Sequence, residues 1–141
     1  MSTGMLALQK AVYAALKNDA ALTAELGAGV RIFDHIPQAQ TWPYIRIGDD
    51  TRSDWGTQDG DGSEVELMIH SWHRSPNRGR APVHTIMDHV YRILHRSNLE
   101  VEGFTTVLIR NVFSEILVEE DLTTYHGVQR FRVLLANNEE G

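Results

Sequence analysis

Val83, Ile86, Met87, Val90, Ile93 and Leu94 fall on one stripe of an α-helix, while stretches on either side repeat their apolar residues at every second position. That change of period is the tightest constraint on the fold. The stripe predicts a long amphipathic helix over about 81–97, with Pro82 near its start and His84, Asp88, Arg92, His95 and Arg96 on its outer face. Before it, Glu64 to Trp72 reads as a strand with Val65, Leu67 and Ile69 on one face and Glu66, Met68, His70 and Trp72 on the other. After it, Thr105 to Glu119 and Tyr125 to Leu135 read as two strands across a polar turn.

The first half of the chain follows the same logic. Leu8, Val12, Ala15 and Leu16 give a first helix over Met5 to Asn18, and Asp19 stands as N-cap of a short helix carrying Leu22 and Leu26. Gly27-Ala28-Gly29 supplies its stop. Val30, Ile32 and Phe33 suggest a short strand ending at Pro37, and Gln38 to Trp42 a loop. Tyr44 to Gly48 follows as a strand, with Ile45 and Ile47 inward and Arg46 outward. Helices, strands, one long helix and more strands predict a single α+β domain over 1–141: a mainly antiparallel sheet with helices packed on one face. The polar segment 136–141 is expected to be a disordered tail.

Composition removes several functions. The chain has no cysteine, which excludes disulfides, thiolate metal sites and thiol catalysis. The net charge of -6 disfavours the counterion-releasing surface that grips nucleic acid. Lys10 and Lys17 are the only lysines, so the remaining cations are arginines, the residue enriched at protein interfaces. No apolar run approaches the roughly 20 residues a membrane span needs, and the opening residues lack a signal peptide's features, so assembly in the cytoplasm and no membrane partner are expected.

The candidate chemistries are incomplete. His70 and His73 point to opposite faces of a strand, and His84 with Asp88 on one helix turn offers two ligands where a metal needs three or four. Asp50 with Glu64 and Glu66 imitates the acids of a metal-dependent nuclease, but both lysines lie far away in the first helix. Asp59-Gly60-Asp61-Gly62 starts like a calcium loop, yet with Asp59 as position 1 the twelfth position is His70 rather than glutamate. No nucleophile elbow, phosphate loop or dinucleotide fingerprint is present. The reading is therefore of no catalytic residue, no metal and no cofactor.

What remains is docking. Asp49 to Ser63 holds five aspartates and three glycines and reads as a long, mobile, acidic loop with Trp55 in its middle. Its tryptophan is either tucked against its own domain or an anchor for a partner. The candidate docking residues are Asp49, Asp50, Arg52, Asp54, Trp55, Asp59 and Asp61. On strand and helix faces they are His70, Trp72, Arg92, Arg130 and Arg132.

The opening Leu8 to Leu16 helix, Asp19 to Leu26, Val30 to Pro37, Pro43-Tyr44-Ile45-Arg46-Ile47-Gly48, Asp54-Trp55, His70-Ser71-Trp72, Ile86-Met87-Asp88 and His126-Gly127-Val128-Gln129-Arg130-Phe131-Arg132 follow in an order that resembles the tail completion, or tail terminator, family of long-tailed bacteriophages and gene transfer agents. The resemblance implies an α+β virion domain that forms a homo-oligomeric, hexameric ring on the head-proximal end of the tail tube. Its implied partners are the major tail tube protein and a head-completion or stopper protein, with DNA passing through the lumen without specific binding. The alternatives are another connector, such as a stopper or tube subunit, or a small metal-dependent hydrolase using His84, Asp88 or Asp49-Asp50.

Overall fold

Leu8, Val12 and Leu16 recur at helical spacing and are fully buried, which sets α1 (Met5–Lys17) down on the sheet along that stripe. The computed structural model describes residues 2–35 and 41–138. Asp19 then starts α2 (Ala20–Leu26) as expected: its carboxylate accepts the Leu22 amide at 2.9 Å, and Gly27 ends the helix at φ 98°. The same carboxylate takes both Nη atoms of Arg92 on the long helix at 2.8 and 3.0 Å, and that hydrogen-bonded guanidinium, with the Leu22 amide, holds its pKa down to about 2. Replacing Asp19 by Ala should therefore cost about 1 kcal/mol through the lost cap. Urea denaturation checks it, and an unchanged midpoint would mean the cap is idle.

The strands are β1 (Ile32–Phe33), β2 (Tyr44–Asp54), β3 (Gly62–Arg74), β4 (Phe104–Val118) and β5 (Thr124–Asn137), with α3 (Ala81–Leu94) between β3 and β4. They form one sheet in the order β1-β2-β3-β5-β4, antiparallel except for the short parallel pairing of β1 with β2. Ile45, Ile47, Val65, Leu67, Ile69, Ile109, Phe131, Val133 and Leu135 face the helices and are buried with Ile86, Val90 and Leu94 of α3. The antiparallel α+β fold with helices on one face is thus observed. Among the described residues the opposite sheet face carries no helix.

Four local expectations change. Residues 49–54 and 62–63, expected in a loop, are strand: Thr51, Arg52, Ser53 and Asp54 pair with Glu66, Val65, Glu64 and Ser63, leaving only 55–61 as the connection. A bulge at Asp49, whose φ is 55°, shifts the alternation, and backbone pairing carries the polar residues beyond it. Val30 is 69% exposed and lies outside β1, which is only two residues long. The long helix stops at Leu94 rather than near 97, because Arg96 adopts φ 58° and gives its amide to the Ile109 carbonyl. Ala136 and Asn137, expected in the tail, extend β5 and pair with Gly62 and Phe104. The expected stop at Pro37, residues 38–40 of the connecting loop and residues 139–141 lie outside the described residues.

Candidate functional site

The bulge at Asp49 organises one end of the uncovered sheet face. Arg46 on β2 donates to the Asp49 carboxylate at 3.0 Å, and His70 on β3 meets the same oxygen through Nε2 at 2.9 Å. His70 Nδ1 lies 2.7 Å from His126 Nε2 on β5, and the His126 ring stacks on the Trp72 indole at a centroid distance of 3.7 Å. Trp72 stacks in turn on Tyr44, and Trp42 closes the row beneath the Arg74 guanidinium. Register explains the assembly: Arg46 opposes His70, and Trp72 opposes both Tyr44 and His126, so alternate positions of three strands bring these rings to one face.

The electrostatics keep the imidazoles neutral. Burial is the main cause lowering the pKa of His126, to about 4, assisted by His70 and Arg46. Burial likewise lowers His70, against the opposing pull of Asp49. Asp49 is lowered first by its bond to Arg46. The contact of His70 with Asp49 is therefore a hydrogen bond between a neutral ring and a carboxylate. Ser71, the hydroxyl next to His70 in sequence, points to the other face of β3. Among the described residues no group of three or more His, Asp or Glu could hold a metal ion. His84 and Asp88 remain exposed neighbours on α3, and no described helix is long and apolar enough to cross a membrane.

At the far end of β2 and β3 sits the hairpin that carries Trp55. Its amide bonds the Gly62 carbonyl at 3.0 Å, and Thr57 bonds Gly60 at 2.7 Å to close a tight turn. Trp55 is 39% exposed, and its indole lies against Gly62, where an added Cβ would come within 3.1 Å of the ring and 2.7 Å of the Trp55 carbonyl oxygen. One side of the indole is therefore tucked and the other is open. Arg52 braces the base of the hairpin, donating to Ser63 Oγ at 2.9 Å and the Gly62 carbonyl at 3.1 Å, with Asp54 alongside at 3.5 Å. Ser63 Oγ then donates to the Thr3 carbonyl at 2.8 Å. Asp54, Asp59 and Asp61 project from this tip and, with Trp55, Ala136 and Asn137, border a shallow concavity.

The sequence-derived candidates thus fall into separate places. Asp49 and Asp50 lie at the bulge, Asp54 to Asp61 at the hairpin tip, and His70 and Trp72 in the aromatic row. Arg132 pairs with Glu64 at 2.6 Å and Arg130 covers the Phe113 ring at 4.8 Å, both on the uncovered face. Arg92 lies elsewhere, on the helical side, bonded to Asp19. Sequence reading missed Arg46 and His126 as parts of the row; only strand register shows that they belong to it.

Fold and face together define a small α+β domain built to present one bare, aromatic- and arginine-bearing sheet surface. Residues 10–136 match the family described as Tail completion protein gp17. A curated relative, the tail completion protein gp17 of Bacillus phage SPP1, is 29% identical over 97 residues, covering 69% of this chain and 70% of the relative. The solved structure of SPP1 gp17 superposes with a TM-score of 0.62 at 25% identity, over 96% of this chain and 91% of that one. A chain in the virion of a native gene transfer agent particle shares the fold with a TM-score of 0.82 at 21% identity, over 92% and 95% of the two chains. The chain belongs to the tail completion protein gp17 family. By that membership it is a structural tail completion protein and not an enzyme.

Proposed function

We propose that this protein forms a ring on the head-proximal end of the tail tube, ends tube polymerisation and joins the tail to the head while DNA passes through the lumen. Membership of the tail completion family over residues 10–136 carries the reading. Two physical features support it. On the uncovered sheet face Phe113 and Leu117 are 43% and 42% exposed and Trp72 is half-buried, an apolar strip of the kind that marks a contact surface. A net charge of -6 repeated around a ring lets DNA pass without sticking. The hexameric count, the tube and stopper partners and the virion location are part of this proposal.

The hairpin at 55–61 is the proposed contact with the tail tube or an adjacent subunit, through the open side of Trp55 and the aspartates beside it. Because the β2–β3 ladder ends at the pair Asp54 and Ser63, replacing 56–60 by a shorter turn removes the tip and leaves the strands paired. The expected result is a variant that folds as before and no longer caps tails, seen by negative-stain electron microscopy. Unchanged capping would remove the hairpin from the contact. Particles lacking the gene should show headless tails of uncontrolled length; normal-length tails beside heads that leak DNA would instead make the protein a stopper.

A further inference from the structure

The two edges of the sheet differ in chemistry. β4 is an edge strand of 15 residues, and its first half is covered by the segment after α3: Arg96 bonds Ile109, the Asn111 amide bonds His95, and Thr106 bonds Leu99. Beyond Asn111, among the described residues, no further segment bonds to the backbone of this edge. There the side chains of Val112, Phe113, Leu117 and Val118 are 46%, 43%, 42% and 37% exposed. The turn that follows holds Leu122, the most exposed large apolar side chain at 73%, at φ 61°. A branched residue in that conformation is strained, and strain of this kind is kept where function uses it. From 112 to 121 the hairpin contains Glu115, Glu119, Glu120 and Asp121 and no Lys or Arg.

The opposite edge has the complementary character. Beside two-residue β1, a groove runs between α1 and the end of α2, lined by Tyr13, Lys17, Leu26, Val30, Arg31 and Ile32, and it continues toward Lys10 and Phe33. Val30 on its rim is 69% exposed. Both lysines of the chain stand here. Arg31 is bonded to the carbonyls of Leu26, Ala28, Trp42 and Pro43, so no carboxylate among its described partners offsets its charge. Among the described lining residues, Asp34, bonded to Gln9, is the acid on the groove wall.

We propose that the β4–β5 hairpin, residues 112–122, of one copy seats in the α1–β1 groove of a second copy, with Leu122 entering beside Val30 and Glu119 and Glu120 facing Lys10 and Lys17. Opposite surfaces on opposite edges make the contact heterologous, so it propagates from copy to copy and closes when the rotation permits. It rests on the reading that the protein works as a ring and names the surfaces that join its members. Apolar contact supplies the attraction, and the charges select the head-to-tail orientation.

The absence of native cysteine makes the contact directly testable. Val30→Cys and Leu122→Cys copies, mixed and oxidised in the presence of tail tubes, should give a covalent heterodimer at least tenfold above a control mixture of Leu122→Cys with Asp59→Cys. The double variant should give a ladder. Lys10→Glu with Lys17→Glu in the Val30→Cys partner should abolish the cross-link, and Glu119→Lys with Glu120→Lys in the Leu122→Cys partner should restore it. Cross-linking at the control level, with tails still capped, would overturn this contact while leaving the tail-completion reading standing; failure of the unmodified protein to cap tails would instead sink that reading.

Discussion

Phe131→Ala should destabilise the protein by about 4 kcal/mol, a large fraction of the roughly 5–15 kcal/mol available to a domain. Phe131 is fully buried in β5, opposite Leu67 on β3 and Asn111 on β4, so its truncation opens a cavity at the centre of the sheet where strands on both sides resist collapse. At about 3 °C per kcal/mol for a chain of this size, the melting temperature should fall by about 12 °C. Phe113→Ala is the matched control: the ring is 43% exposed on the free half of β4, and its loss should cost under about 1 kcal/mol. Equal losses for the two variants would refute this placement of the core.

Acid should weaken the fold before any carboxylate pair is lost, and His126 is the reason. Its pKa is lowered from 6.5 to about 4 in the folded protein, chiefly by burial. A histidine with a depressed folded pKa binds a proton more readily unfolded than folded, so its neutral form stabilises the fold above pH 6.5 and that contribution drains away as pH falls toward 4. Discounted for the partial exposure of the ring, the loss over that window is on the order of 1–2 kcal/mol. His70, lowered in the same direction, adds to the slope. Asp19 and Asp121, held near 2, lose their own contribution only below pH 3.8, outside this window. Urea unfolding at pH 7 and pH 4.5 measures the slope. His126→Phe preserves a ring against Trp72 and removes the titrating group, so its slope should be markedly shallower; an equal slope would place the titration elsewhere.

How much of this could be read in advance differs by element. The α3 stripe, the buried set Val65, Leu67 and Ile69, and the Asp19 cap were legible, because a 3.6- or 2-residue period and a cap are local patterns. The strand beyond Asp49 was not, because a bulge resets the alternation and the pairing partner lies 15 positions away, as with Thr51 and Glu66. Trp55 stands out in the sequence as a lone aromatic among turn residues, yet its half-tucked position depends on Gly62, which comes beside it only when the hairpin closes.

The sequence by itself determined the α+β class, the inward faces, the lack of thiol chemistry and the resemblance to tail completion proteins, since each follows from residue identity and near-neighbour spacing. Tertiary structure alone decided that β5 lies inside the sheet and β4 at its edge, although both read as strands of similar apolar content. Strand order sets which backbone edge stays unpaired, and register sets which rings meet, so Phe131 is core, Phe113 is surface, and His70 finds His126. Neither order nor register is encoded in the period of a single strand, because both arise from contacts between residues far apart in the chain.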